Sequence, residues 1–156
     1  MYLTCRKAVL SDCETIKKLF IDTVMTVNIA DYTREETADW ASCGENSGHW
    51  HNLIKTTYFI TAFTADNILA GFAAIRNDGY LHSLFVSKDC QGCGVATFLL
   101  KNIENYAAAN NIHEIISEVS ITAKPYFMHK GYGIIKIQKR RANKLKLTNY
   151  VMKKRL

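Results

Sequence analysis

The stretch from Leu81 to Asn110 limits the possible folds more than any other part of this chain. It runs from an apolar, strand-like segment through a turn with Gly92 and Gly94 directly into a long helical pattern. Glycines let the backbone turn tightly and expose successive N–H groups, and a helix start adds a partial positive charge of roughly half a unit. No acidic residue lies between Gln91 and Lys101. The turn is therefore predicted to hold a phosphate group.

Length and composition narrow the class of protein. The 156 residues predict one domain, residues 1–156, and the 48% hydrophobic content predicts a folded globular chain. The apolar runs are far shorter than the roughly 20 residues of a membrane span, and we find no basic-then-apolar leader at Met1. Five cysteines without framework spacing favour reduced thiols, and hence a cytoplasmic protein.

The net charge of +6 is concentrated near the end of the chain, between Lys136 and Lys146. A basic cluster can bind nucleic acid or an acidic partner, but a solvated hairpin has the same composition, and we favour the hairpin. No aromatic residue is interleaved in this segment, which argues against single-strand stacking. Nucleic acid is therefore not an expected partner.

Local patterns predict the elements in order. A first strand covers residues 2–8, and two capping pairs, Ser11 with Glu14 and Thr33 with Glu36, predict the starts of two helices. A third helical piece contains Trp50, and Gly71 within a strand suggests a bulge or a close backbone approach. The remaining strands are predicted at residues 58–64, 68–75, 80–86, 114–119, 134–139 and 145–153, with helices after residue 94 and at residues 123–130.

Two motifs and the element order resemble those of one enzyme family. Gln91, Gly94 and Ala96 follow the spacing Q-x-x-G-x-A, which resembles motif A of the GCN5-related N-acetyltransferases (GNAT), whose usual form is R/Q-x-x-G-x-G/A. The segment from Ala123 to Tyr132 resembles the family's A-x-x-F-Y-x-K-x-G-F. The chain looks like a member of a bacterial, uncharacterised subgroup. The resemblance implies an α/β (α+β) fold: one mixed, mostly antiparallel sheet of about seven strands, with helices on both faces, splayed at two central parallel strands.

By the same resemblance the chain uses acetyl-CoA as co-substrate. Phe85 and Val86 are then expected to offer backbone groups to the pantetheine arm, and Ser120 stands where many members place an asparagine that binds the cofactor. Phe127 occupies a further cofactor-facing position. The pyrophosphate would be held by the amides of the loop and first helical turn, at Gln91, Gly92, Cys93, Gly94, Val95, Ala96 and Thr97.

Acetyl transfer to an amine needs a proton acceptor, and His82 is the best candidate. On a strand of period two, Tyr80, His82, Leu84 and Val86 would share one face. Tyr80-Leu81-His82 resembles the His-x-His pair of serotonin N-acetyltransferases. A purely structural role for His82 is an equally weighted alternative. Glu118 is a second candidate base, although the simpler interpretation is that it is an ordinary exposed carboxylate.

The general acid is where the chain departs from the family pattern. The expected tyrosine position holds Phe127, which has no proton to donate. Tyr126 is adjacent, but one residue along a helix is a rotation of about 100 degrees. Tyr126 is therefore the candidate acid, with a core aromatic as the alternative.

The acceptor site is predicted from aromatic residues in the helical region. Tyr32, Trp40, Trp50 and Tyr80 would line it, although Tyr32 and the tryptophans are equally compatible with the core. The acceptor is an unidentified amine of a small molecule or a protein, and a homodimer is left open. The main prediction is direct acetyl transfer from acetyl-CoA to this amine; the alternatives are a CoA-binding module with little or no turnover and a basic-patch interaction protein.

No metal site is expected. His49, His51 and Cys43 lack a convincing fourth ligand. Cys90 and Cys93 form a C-x-x-C without a second such pair, and we interpret both as loop residues whose oxidation would block the cofactor.

Overall fold

The computed structural model describes residues 1–156, with seven strands and five α-helices. The strands are β1 (Leu3–Lys7), β2 (Tyr58–Thr64), β3 (Leu69–Ile75), β4 (Leu81–Val86), β5 (Glu114–Ser120), β6 (Gly133–Arg141) and β7 (Lys146–Arg155). The helices are α1 (Cys13–Thr26), α2 (Arg34–Ser42), α3 (Ser47–Thr56), α4 (Val95–Ala109) and α5 (Lys124–His129). No helix is both long and apolar enough to cross a bilayer.

The strands form two sheets that meet near the starts of β4 and β5. Antiparallel pairs give the orders β1-β2-β3-β4 and β5-β7-β6, and one parallel bridge, Tyr80 with Ile116, joins them. Beyond this bridge β4 and β5 diverge, so a gap opens toward their carboxyl ends. The predicted mixed, mostly antiparallel arrangement, splayed at two central parallel strands, is confirmed.

Apolar clusters cover both faces of the first sheet. One cluster packs α4 against the sheet and includes Val95, Leu99 and Ile103. The other packs α1 and α3 on the opposite face and includes Phe20 and Trp50. Helices on both faces therefore fix β4 from two sides, which holds the edge of the gap in place.

One of the two predicted capping boxes forms. Thr33 and Glu36 cap α2 reciprocally, with N···O distances of 3.0 and 3.1 Å. The Ser11–Glu14 prediction was wrong, because a 3₁₀ turn occupies Leu10–Asp12 and α1 begins at Cys13. There the Asp12 carboxylate accepts the Val9 N–H at 2.8 Å instead, and it pairs with Arg6.

A bulge interrupts the alternation of β4. Ala74 lies opposite Ser83 and Ile75 opposite Leu81, so His82 is the extra residue on its strand. The prediction that Tyr80, His82, Leu84 and Val86 share one face was therefore wrong. Leu84 and Val86 pack against the α4 cluster, whereas Phe85 packs against the cluster of α1 and α3.

Gly71 has the predicted close approach and a neighbouring bulge. A Cβ at this position would lie 2.7 Å from the Phe85 carbonyl oxygen. On β3 the adjacent Ala70 is the extra residue, because Ala62 pairs with Gly71 and Phe63 with Leu69. Only a glycine lets β3 and β4 approach at this point.

Candidate active site

A cavity of about 760 Å³ lies at the gap between β4 and β5 and extends under α1 and α2. Its wall includes both candidate catalytic residues, His82 and Tyr126, and the four predicted acceptor-site residues. It also includes ten of the eleven predicted cofactor residues, namely Phe85, Val86, Gln91, Gly92, Gly94, Val95, Ala96, Thr97, Ser120 and Phe127. Cys93 is exposed and does not line the cavity. The fold thus brings together residues that lie far apart in sequence.

The loop before α4 presents a row of free backbone donors. None of the N–H groups of residues 91–97 has a hydrogen-bond acceptor within the protein, and the first internal bond of the turn runs from Phe98 N–H to the Gly94 carbonyl at 3.0 Å. Gly92 and Gly94 have φ of +69° and +83°, a region that other residues seldom adopt. A row of free donors at the N-terminus of a long helix is suited to an anion.

The side chain of Gln91 points back into the protein. Its Nε2 donates to the Val86 carbonyl at 2.9 Å, and the Thr23 hydroxyl donates to the same oxygen at 2.9 Å. A carbonyl has two lone pairs, so both are used here. Gln91 and Thr23 therefore fix the end of β4, and the Gln91 backbone, not its side chain, is left for a ligand.

The β3–β4 ladder decides which backbone groups of β4 face the gap. Ser87 N–H donates to the Ala70 carbonyl at 2.8 Å, Val86 lies opposite Gly71 in the next pair, and Phe85 lies opposite Phe72 in the pair after that. In an antiparallel pair such positions alternate, so the polar groups of Phe85 point to β3 and those of Leu84 and Val86 to the gap. The prediction that Phe85 offers backbone groups to the cofactor was therefore wrong, although Phe85 lines the cavity, and Leu84 is a lining residue outside the predicted cofactor set.

His82 lies half-buried beside two polar neighbours. Its Nδ1 is 2.7 Å from Ser83 Oγ, and its ring centroid is 5.6 Å from that of His49, which is exposed on α3. Burial, with smaller contributions from His49 and Arg76, lowers the pKa of His82 to about 4. The ring is therefore neutral at physiological pH and able to accept a proton.

Glu118, on β5, is held in a network that links it to Tyr80, just before β4, and to β6. Its carboxylate accepts the Tyr80 hydroxyl at 2.7 Å and Gln138 Nε2 at 2.6 Å, and it pairs with Arg140 at 3.2 Å. The interpretation of Glu118 as an exposed carboxylate is wrong, because this side chain is mostly buried. Burial and the bond to Glu118 raise the pKa of Tyr80, so its phenol stays protonated.

The phenol of Tyr126 reaches the start of α4. Its oxygen is 3.0 Å from Thr97 Oγ1, across the gap from β4. Burial raises the pKa of Tyr126, although the Thr97 bond opposes this effect. Phe127 is 4% exposed and packs edge-to-face between Tyr126 and Tyr132. The α5 helix therefore turns Tyr126 toward the cavity and Phe127 mainly into the core.

The predicted acceptor-site aromatics occupy the wall under α1 and α2. The Tyr32 hydroxyl donates to the Thr148 carbonyl at 2.7 Å and accepts the Ile121 N–H at 2.9 Å, so it also ties the wall to β5 and β7. Trp50 is 2% exposed, and its Nε1 donates to the Gly44 carbonyl at 2.8 Å. Trp40 is half-buried and packs edge-to-face on Tyr32. Trp50 is thus principally a core residue, and Trp40 presents more surface to the cavity.

The cysteines and the metal candidates form no cluster. All five thiols are free, and no group of three or more histidine, cysteine or acidic side chains is arranged to hold a metal ion. Burial raises the pKa of the Cys90 thiol, which keeps it protonated.

Comparison with known proteins identifies the family. The model of the acetyltransferase (GNAT) domain matches residues 28–154. The chain belongs to this family. An uncharacterised N-acetyltransferase of Escherichia coli, YafP, is similar to this GNAT chain, with 27% identity over 91% of the chain and 89% of YafP. The family prediction is confirmed, and by family the chain is an acetyltransferase.

Solved structures of GNAT proteins share its fold. A GCN5-related N-acetyltransferase from Rhodopseudomonas palustris has a TM-score of 0.94 and 23% identity, covering 100% of this chain and 99% of its own. The PaiA N-acetyltransferase of Thermoplasma acidophilum, solved in complex with coenzyme A, has a TM-score of 0.79 and 20% identity, with 100% of both chains covered. At these identities the similarity concerns the fold alone.

Three polar side chains lie where β5 ends, at the open end of the GNAT gap: Ser120, which was predicted, and Thr122 and Asn149, which were not. Ser120 Oγ accepts the Ala123 N–H at 3.1 Å, so its hydroxyl proton and one lone pair are left for a ligand. Thr122 Oγ1 and Asn149 Oδ1 are buried without any hydrogen-bond partner, and both residues line the cavity. Buried polar atoms without partners are costly, and these two indicate a place for a polar ligand.

Proposed function

We propose that this GNAT chain transfers the acetyl group of acetyl-CoA directly to a primary amine of an unidentified acceptor. The observation that carries the proposal is the row of unpartnered N–H groups at residues 91–97, at the mouth of the gap between β4 and β5. A diphosphate supplies the acceptor oxygens that these donors lack. Because Gly92 and Gly94 have no Cβ, and no other atom lies within 4 Å of where one would be, the cradle is open to a group of this size.

The diverging strands offer partners for an amide-containing arm. The N–H groups of Leu84 and Val86 face the gap, where β5 no longer approaches closely enough to pair with them. Pantetheine has two amides, and these can bind along that edge. The Val86 carbonyl is already saturated by Thr23 and Gln91, so the arm would be held there mainly by N–H donors.

We assign proton acceptance to His82. A neutral imidazole inside the cavity can take a proton from the acceptor amine directly or through a water molecule. With a pKa of about 4, His82 is a weak base, so it would serve as a relay that passes the proton on and does not retain it. His49 is exposed and its ring adjoins that of His82, so it lies on a short path from the site to solvent.

We assign protonation of the leaving thiolate to Tyr126. Its phenol lines the gap beside Thr97, on the side of α4 and α5, and its raised pKa keeps the proton available. Tyr126 takes the role that Phe127 cannot perform. The alternative of a CoA-binding module with little turnover rests on Phe127 at the usual tyrosine position.

The other parts of the proposal concern the acceptor and its setting. Tyr32, Trp40 and Tyr80 would form the acceptor wall opposite Tyr126. We treat residues 1–156 as one catalytic unit. We place it in the cytoplasm because all five thiols are free, and we include assembly as a homodimer in the proposal.

The experiment that tests the cradle compares Gly94→Glu with Gly133→Glu. Gly94→Glu places bulk and charge among the free donors, at a residue with a positive φ. Gly133→Glu adds the same charge at the start of β6, at a residue that does not line the cavity and whose new Cβ would meet no atom within 4 Å. Calorimetry should show CoA binding lost in the first variant and retained in the second. Equal affinity in both would refute the cradle. CoA binding without thiol release from acetyl-CoA, across a panel of amines, would favour the binding module.

A further inference from the structure

The charged side chains of the cavity wall leave no free counter-ion for an acceptor. Glu118 is the one carboxylate in the wall, and it is engaged by Tyr80, Gln138 and Arg140. Arg141 is exposed, and because it follows Arg140 on β6, its side chain lies on the other face of that strand. A second charge on the acceptor would therefore lose water without gaining a partner. This favours an acceptor with no charged group besides its amine.

Aromatic rings form one wall of the cavity beneath α1 and α2. Trp40 has three ring neighbours, with centroids 5.8 to 6.2 Å away and interplanar angles of 61° to 82°: Phe20, Tyr32 and Phe85. No ring of the protein is therefore stacked in parallel on the indole. Trp40 and Phe85 both line the cavity and are only half-buried. The flat ring of a ligand can supply the offset-stacked partner that the protein does not.

The position of Trp40 is fixed by its neighbour in sequence. The Asp39 carboxylate accepts the backbone N–H groups of residues 143–145 at 2.9 to 3.0 Å, which ties α2 to the β6–β7 turn. A ring on an anchored helix loses less freedom when a ligand binds than one on a free loop. Trp40 is thus a preorganised surface.

Asn28 adds an unpartnered polar group to this wall. It lies in the 3₁₀ turn between α1 and α2, lines the cavity and is 6% exposed, yet its side-chain amide makes no hydrogen bond within the protein. Unlike Thr122 Oγ1 and Asn149 Oδ1, which are unpartnered and enclosed, the amide atoms of Asn28 keep some accessible surface. An amide in a buried residue is costly without a partner. A hydroxyl or amide group of the acceptor could both donate to it and accept from it.

We propose, on the basis of the proposed acetyl transfer, that the acceptor is a monoamine with an aromatic ring and one uncharged polar substituent. Trp40 and Phe85 bind the ring, and Asn28 binds the substituent. Phe85 follows His82 by three residues on β4, at most about 10 Å along the strand, so a short spacer between ring and amine brings the nitrogen to the base.

The test compares simple amines with acetyl-CoA and the full-length protein. Tyramine should have a higher kcat/KM than 2-phenylethylamine, which lacks the hydroxyl group. In turn, 2-phenylethylamine should have a higher kcat/KM than 2-cyclohexylethylamine, which lacks the aromatic ring. Tyrosine, which adds a carboxylate to tyramine, should react more slowly than tyramine.

Two substitutions assign these preferences to residues. Asn28→Leu keeps the side-chain volume, and it should lower kcat/KM for tyramine about 10- to 100-fold without lowering that for 2-phenylethylamine. Asn52→Leu is the matched control, because Asn52 is exposed on α3 and does not line the cavity. Trp40→Leu should remove the advantage of 2-phenylethylamine over 2-cyclohexylethylamine, whereas Trp40→Phe should keep it. All four variants should bind CoA as the wild type does by calorimetry.

Equal kcat/KM values for the members of any of these pairs would overturn the inference while leaving acetyl transfer intact, as would a preferred amino acid, polyamine or peptide acceptor. If no amine reacts, calorimetry of the CoA-loaded protein with N-acetyltyramine and N-acetyl-2-cyclohexylethylamine still decides. Equal or absent binding of the two contradicts the roles of Asn28 and Trp40. Failure of the wild-type protein to bind CoA would instead count against the proposed function.

Discussion

Mild acid should destabilise this protein through His82. The side chain lies within the cavity wall with Ser83 Oγ as its neighbour at 2.7 Å, and burial lowers its pKa from 6.5 to about 4. A lowered histidine pKa means that the unfolded chain binds a proton more readily than the folded one. Stability is therefore fully present above pH 6.5 and is lost progressively as the pH falls toward 4.

The size of the effect follows from the two pKa values. Linkage between 6.5 and about 4 gives a maximum loss of about 3 kcal/mol, of which about 2 kcal/mol is reached at pH 5 and almost none at pH 7.5. Replacing His82 by glutamine removes this proton uptake from both states. The difference in unfolding free energy between wild type and His82→Gln should therefore shift by about 2 kcal/mol between pH 7.5 and pH 5, in favour of the variant at low pH.

Urea denaturation at a series of pH values measures this difference directly. His51→Gln is the matched control, because it removes a histidine that is exposed on α3. The reasoning would be refuted by parallel pH curves for wild type and His82→Gln, since a histidine in water contributes no such difference. The same pKa requires that any acid limb of kcat/KM caused by His82 lies near pH 4, below the value of 6.5 expected for a free imidazole.

Three further changes test other parts of the site. Tyr126→Phe should lower kcat about 100-fold at pH 7 with little change in the KM for acetyl-CoA, measured by thiol release; an unchanged kcat would remove the phenol from the mechanism. Asp39→Ala frees the β6–β7 turn, so the KM for the acceptor should rise severalfold and the Tm should fall, while CoA affinity stays the same by calorimetry. Thr33→Ala removes the cap of α2 and should cost about 1 kcal/mol in urea denaturation without changing CoA affinity; a loss of CoA affinity would contradict a purely local cap.

The parts of the site that depend on local sequence were predictable. The loop from Gln91 to Thr97 is one continuous segment, and its glycines and helix start determine both the turn and the free N–H groups. Capping by Thr33 and Glu36 is likewise a relation between residues three apart. In such segments the chain itself supplies all the partners, so a short pattern is sufficient.

The parts that depend on pairing between distant segments were not predictable. Thr23 and Gln91 meet at the Val86 carbonyl, and Tyr32 bonds to Thr148, although these residues are widely separated in sequence. The hydrogen bonds of Glu118 come from Gln138 on β6 and from Tyr80, just before β4. An exposed carboxylate and a networked one have the same local sequence, so only the register of three strands distinguishes them.

The Ser11–Glu14 error has a similar physical origin. Serine and glutamate have the right spacing for a capping box, but Asp12 lies between them and Arg6 is close by in the fold. The carboxylate of Asp12 accepts the Val9 N–H and the guanidinium together, which stabilises a 3₁₀ turn before the helix. A stronger charge-assisted acceptor thus displaced the expected cap.

The bulge at His82 connects the fold to the proposed chemistry. It lies two residues after Tyr80, the one bridge between the two sheets, so the strands separate at the position where the extra residue is inserted. One extra residue keeps His82 beside His49 of α3 and Phe85 in the cluster of α1 and α3, while Leu84 and Val86 pack in the cluster of α4. Without the bulge, β4 could not combine a histidine in the acceptor wall with free N–H groups at the gap. Both requirements are met on six residues because the alternation is broken once, and a pattern of period two cannot show where that break occurs.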